Sequence, residues 1–118
     1  MNMKTIAALM MVMSLAASGV AMAHAHLKRS EPADLSVVAE SPKNVTVAFN
    51  EAVTLTALTI QKGDAKPLVL GPLAKEAAKQ QTFMLPVLMP GNYIVKWRAM
   101  SDDKHVMSGK FTFKVGTP

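Results

Sequence analysis

Beyond residue 40, hydrophobic and polar positions alternate along most of the chain with a period of two. Val45, Val47 and Phe49 are interleaved with Thr46, Ala48 and Asn50. Residues 53–60 are rich in β-branched side chains, and strict alternation puts Val53, Leu55, Ala57 and Thr59 on one face. Tyr93, Val95, Trp97 and Ala99 form one face of residues 93–100, with Ile94, Lys96, Arg98 and Met100 on the other. Phe111, Phe113 and Val115 repeat the pattern in residues 110–115. Successive side chains of a strand point to opposite faces, so each run predicts a strand with one cored and one wet face. Residues 67–70 and 81–85 read as shorter strands, the former at an edge. Turn chemistry separates these runs at Pro42 and Lys43, at residues 61–64 around Gly63, and at Pro90, Gly91 and Asn92. Only residues 73–80 have helical character. About two turns cannot stand alone, so this stretch is either a short docked helix or a connecting loop. Six or seven short strands with Gly/Pro turns predict an all-β domain, an antiparallel sandwich or a small barrel.

The first 23 residues follow another rule. Lys4 precedes an apolar stretch of roughly a dozen residues that ends in Ala21, Met22 and Ala23. This is the pattern of a secretory signal peptide cleaved after Ala23, which divides the chain into a leader, 1–23, and a mature domain, 24–118. A membrane anchor is the competing reading, because residues 5–23 come near a minimal span. Ser14, Ser18 and Gly19 weaken its later half, and no basic residue follows until Lys28.

That division changes the meaning of the composition. The chain has 118 residues, 10 Met, 3 His and no Cys. The missing cysteine excludes a disulfide-stapled scaffold, an iron–sulfur protein and any thiolate metal site. Met1, Met3, Met10, Met11, Met13 and Met22 belong to the leader, whereas all three His lie beyond it. Loss of Lys4 lowers the formal charge of +5 by one. The remaining basic residues are scattered among acidic ones, without the continuous stripe that nucleic acid requires.

The candidate chemistry lies in the histidines. Cleavage after Ala23 makes His24 the first residue, and a terminal His offers a free amine and an imidazole nitrogen that close one chelate ring. Such nitrogen donors suit Cu(II). His26 then stands third, and an amine with a third-position His can also wrap Cu(II) through backbone amide nitrogens. The terminus thus contains two competing ways to hold one ion. His105 lies in Ser101-Asp102-Asp103-Lys104-His105. If this segment is extended, Asp103 and His105 point the same way and add a carboxylate and an imidazole, with Asp102 available to hydrogen-bond a liganding ring. Met100 and Met107 flank the segment and form a candidate Cu(I) pair. Met84 and Met89 are assigned to core or loop gaps. No nucleophile elbow, zinc-protease helix motif or phosphate-cradling loop is present, so the chain is not read as an enzyme.

The terminal HAHLKRSEPAD, the segment SPKNVTVAFNEAV and the run PGNYIVKWRAMSDDKHVMSGKFTFKV together resemble the periplasmic copper resistance protein CopC family. The diagnostic residues are His24, then Trp97, Arg98, Ser101, Asp103, His105 and Gly109, then Phe111, Phe113 and Val115. The resemblance implies an immunoglobulin-like Greek-key β-sandwich of about seven strands. It implies Cu(II) held by the amine and imidazole of His24, by Asp103 and by His105, with His26 as an auxiliary or alternative ligand. It also implies a periplasmic role in copper capture, buffering or delivery beside a CopD-like inner-membrane copper transporter. Residues 61–79 contain no Met and no His, so the chain departs from relatives that carry a methionine-rich Cu(I) loop there.

Two other classes fit parts of this pattern. A copper oxidase with a terminal histidine uses the same chelate, but Asp103 would fill the position that oxygen needs. A secreted β-sandwich interaction module would carry the histidines without metal.

Overall fold

The computed structural model describes residues 25–117. They form seven strands: β1 (Leu27–Glu31), β2 (Ser36–Val38), β3 (Asn44–Lys62), β4 (Leu68–Val69), β5 (Ala78–Met84), β6 (Gly91–Met100) and β7 (Val106–Val115). No helix among the described residues is long and apolar enough to cross a membrane.

The all-β expectation holds, but the two-sheet immunoglobulin-like sandwich is corrected. All seven strands belong to one hydrogen-bonded sheet, ordered β1-β3-β6-β7-β2, with β4 and β5 also paired to β3. The reason is β3. The alternation predicted two strands, 45–50 and 53–60, yet the chain continues as one strand of 19 residues. Its first half pairs with β1 and β5, and its second half with β6 and β4. Between Ala48 and Val53 the register to β5 shifts. An irregularity of this kind bends a strand and increases its twist without ending it. The sheet therefore curls around its own apolar face as a half-barrel.

A second irregularity explains a change of face. Leu55 lies opposite Ala99, but the next partnered residue, Ala57, lies opposite Arg98. The additional residue, Thr56, inverts the side-chain order beyond it. Leu58 and Ile60 are buried in place of the expected Ala57 and Thr59. In the other alternating runs the expected residues Val45, Val47, Phe49, Tyr93, Val95, Trp97, Ala99, Phe111, Phe113 and Val115 all enter the core. The first half of β3 departs from the expected wet face, because Thr46 and Ala48 are buried as well. Residues 73–77 form a loop, and residues 78–80 extend β5 along the free edge of β3. Met84 and Met89 are exposed, not core fillers.

The centre of the curl is Trp97. Its indole meets Phe49 edge-on, with ring centroids 5.0 Å apart and planes at 79°. Gly109 lies directly across from it on β7. A Cβ at Gly109 would stand 2.6 Å from Cζ2 of Trp97, inside any real carbon–carbon contact. The indole thus occupies the space a side chain at 109 would need. Its Nε1 is buried without a hydrogen-bond partner. Tyr93 and Phe113 stack lower in the core at 5.6 Å, and the Tyr93 hydroxyl donates to the Met89 carbonyl at 2.6 Å. Gly109→Ala should force Trp97 aside and destabilise the domain by about 1–3 kcal/mol in urea unfolding. An unchanged midpoint would show that the ring can move at no cost.

Candidate metal centre

Residues 101–105 connect β6 to β7, and their backbone bonds close a tight turn. The Ser101 amide donates to the His105 carbonyl at 2.9 Å, and the Lys104 amide donates to the Ser101 carbonyl at 3.0 Å. Lys104 adopts the left-handed conformation, with φ of 67°. The segment is therefore not extended. Asp103 and His105 do meet, but the reversal at Lys104 brings them together, not strand alternation. Nδ1 of His105 lies 2.7 Å from Oδ2 of Asp103. The Ser101 hydroxyl donates to Oδ1 of the same carboxylate.

These contacts set the charge of the site. The Ser101 hydroxyl, followed by the His105 ring, lowers the Asp103 pKa from 3.8 to about 2. Both side chains of the Asp103–His105 pair are exposed, so its contribution to folding is small. Its value is orientation. A carboxylate on Nδ1 favours the tautomer with its proton there and makes Nε2 the acceptor nitrogen of the ring. Each carboxylate oxygen has two lone-pair positions, so Asp103 can accept these hydrogen bonds and still act as a ligand.

Asp103 and His105 open onto a hollow of about 200 Å³. Ser101 and Asp102 line it from the same loop, Met107 from β7, Glu51 from the bend of β3, and Ala25 from the segment before β1. Ala25 is only 7% exposed and belongs to the core cluster, which anchors the chain at this wall. His24 lies outside the described residues, as do residues 1–23, the expected leader.

His26 is exposed and is not among the lining residues. Its amide donates to Oδ1 of Asn50 at 2.6 Å, and its carbonyl accepts the Asn50 amide at 3.1 Å. Asp102 lines the hollow, while the hydrogen bond to the imidazole that the sequence offered to Asp102 is made by Asp103. The candidate methionine pair is divided: Met107 faces Ala99 across the ladder and lines the hollow, whereas Met100 pairs with Val106 on the opposite face. Glu51 was not identified by sequence reasoning, because it lies in the irregular bend where alternation carries no information.

Among the described residues no three His, Cys, Asp or Glu side chains converge on one point. One carboxylate and one imidazole are nevertheless a fitting half of the mixed nitrogen–oxygen set that Cu(II) accepts. Because the Asp103 pKa is depressed, its stabilising contribution is complete above the ordinary value of 3.8 and is lost as the pH falls through about 2. A carboxyl-detected NMR titration should place the Asp103 midpoint near 2. Ser101→Ala should raise it towards the ordinary value, and an unmoved midpoint would remove the hydroxyl as the main cause.

Comparison with known proteins identifies the family of the chain. Residues 27–116 match the CopC domain family. The chain is 36% identical over 115 residues to Copper resistance protein C of Escherichia coli, covering 89% of this chain and 90% of that one. It is 31% identical over 98 residues to Protein YobA of Escherichia coli strain K12, covering 79% of each. The crystal structure of CopC from Methylosinus trichosporium OB3b superposes with a TM-score of 0.67 at 30% identity, covering 78% of this chain and 93% of that chain. PcoC, a methionine-rich copper resistance protein from Escherichia coli, superposes with a TM-score of 0.60 at 33% identity, covering 79% and 99%. A turn that pairs Asp103 with His105, on a curled sheet centred on Trp97 and Gly109, is thus found in a chain that belongs to the CopC family of periplasmic, non-enzymatic copper-handling proteins.

Proposed function

We infer that the exported domain, 24–118, captures Cu(II), buffers it, and delivers it to a CopD-like inner-membrane copper transporter. The donors are the amine and imidazole of His24, the carboxylate of Asp103 and the imidazole of His105. One observation carries this reading: Ala25 lines the same hollow as Asp103 and His105. Covalent geometry keeps the α-carbon of residue 24 within about 3.8 Å of that of Ala25. Cleavage after Ala23 would supply the free amine. Copper is cargo here, so the relevant quantities are affinity and exchange, not turnover.

The donor chemistry sets the pH response. Protons compete with copper for the amine and the imidazoles, so affinity falls on acidification. Asp103, held at about 2, remains a carboxylate through the range in which the nitrogen donors are lost. The ion would join the terminus to the loop between β6 and β7, so binding should raise the unfolding temperature.

Intact mass of the periplasmic protein should give His24 as the first residue. Cu(II) titration followed by EPR should then show one site. His105→Ala, or one added Gly before His24, should each weaken it at least about tenfold, about 1.4 kcal/mol. Equal affinity in the wild-type and Gly-extended proteins would overturn the terminal chelate.

A further inference from the structure

The terminus His24-Ala25-His26 offers Cu(II) two incompatible geometries. In one, the amine and imidazole of His24 join Asp103 and His105. In the other, the ion lies in a square plane of the terminal amine, the amide nitrogens of residues 25 and 26, and the His26 imidazole. The second is complete within three residues and needs nothing from the rest of the fold. Something in the folded domain must therefore disfavour it if the first is to operate.

We propose that Asn50 is a positioning residue that selects between the two modes by holding the backbone of His26 out of the coordination plane. This rests on the reading of the terminal site given above. The His26 amide, which the square plane requires as a donor to the ion, is already engaged with Oδ1 of Asn50 at 2.6 Å. The His26 carbonyl is held by the Asn50 amide at 3.1 Å. These two bonds fix both sides of residue 26 to the bend of β3. Ala25 adds a third restraint, because its side chain lies in the core at 7% exposure. To wrap the ion, residues 25 and 26 would have to break both bonds and withdraw Ala25 from the core. Neither bond opposes the first mode, whose lining residues Ala25, Asp103 and His105 already share one hollow. Asn50 is half-buried at the end of the alternating run in the first half of β3, next to Glu51, which lines that hollow. The bend that curls the sheet thus also supplies the clamp.

The test is Cu(II) EPR and visible spectroscopy of the mature protein with one equivalent of copper. The variants are Asn50→Ala, Asn50→Asp, His26→Ala, His105→Ala and the double variant Asn50→Ala/His26→Ala. The wild type should show one species, lost on His105→Ala and unchanged by His26→Ala. Asn50→Ala removes the acceptor from the His26 amide. It should populate a second species about tenfold more than the wild type does. Amide nitrogens exert the stronger equatorial field, so its d–d band should lie at shorter wavelength. That species should vanish in the double variant. Asn50→Asp keeps an acceptor oxygen and should restore the wild-type spectrum. A natively folded Asn50→Ala protein with the wild-type spectrum would overturn the proposal. If that variant does not fold, His26→Ala decides alone, since any change it makes to the wild-type spectrum would show that His26 is already a ligand. Failure of the wild type to bind Cu(II), or a spectrum indifferent to His105→Ala, would instead overturn the terminal site itself.

Discussion

Every strand but two depends on β3 finding backbone partners along its whole length while the chain turns a corner. Backbone amides and carbonyls that leave water must be paired. A strand of 19 residues that simply broke at the corner would strand several of them. The bend between Ala48 and Val53 keeps pairing on either side of the irregularity and changes direction within it. Its first half faces β1 and β5, and its second half faces β6 and β4. The curl, the enclosure of the core and the position of Asn50 and Glu51 at the rim all follow from that choice.

Much of the fold was legible in the alternation, because alternation reports burial and burial fixes register. Tyr93, Val95, Trp97 and Ala99, like Phe111, Phe113 and Val115, sit as their spacing says. The pattern failed where pairing was irregular. Thr56 carries no mark of its role, and one unpaired residue was enough to exchange Ala57 for Leu58 at the core. The union of residues 45–50 and 53–60 into one strand was also hidden, since polar residues at a bend resemble those of a turn. The alternation leaves a sandwich or a small barrel open; the expected pair of sheets comes from the family resemblance, and the continuity of β3 is what overturns it. β1 is mostly polar and β2 is only three residues long, too little for a clear alternation, and they pair along edges of β3 and β7.

The site was legible by residue type more than by geometry. Asp103 and His105 were identifiable from their spacing, and they do meet. The cause is the left-handed backbone of Lys104, which no composition rule would place there. Ser101 acquires a role that the spacing did not suggest, as the main cause of the low Asp103 pKa. The methionine pair failed for the converse reason: Met100 and Met107 straddle the turn but occupy adjacent rungs of the ladder, so their side chains leave opposite faces. Asn50 looked like the polar end of a strand, and only the position of His26 against it gives it a meaning.

Trp97 is the single tryptophan of the chain. It touches Phe49 from the first half of β3 and covers Gly109 on β7, so its surroundings are drawn from both flanks of the curl. Its indole N–H is buried and has no hydrogen-bond partner in the protein. The molecule therefore carries one chromophore whose emission and near-ultraviolet dichroism register how tightly the two flanks are closed. An opened sheet that kept every strand would still darken or shift that signal, which makes closure of the curl optically separable from formation of the strands.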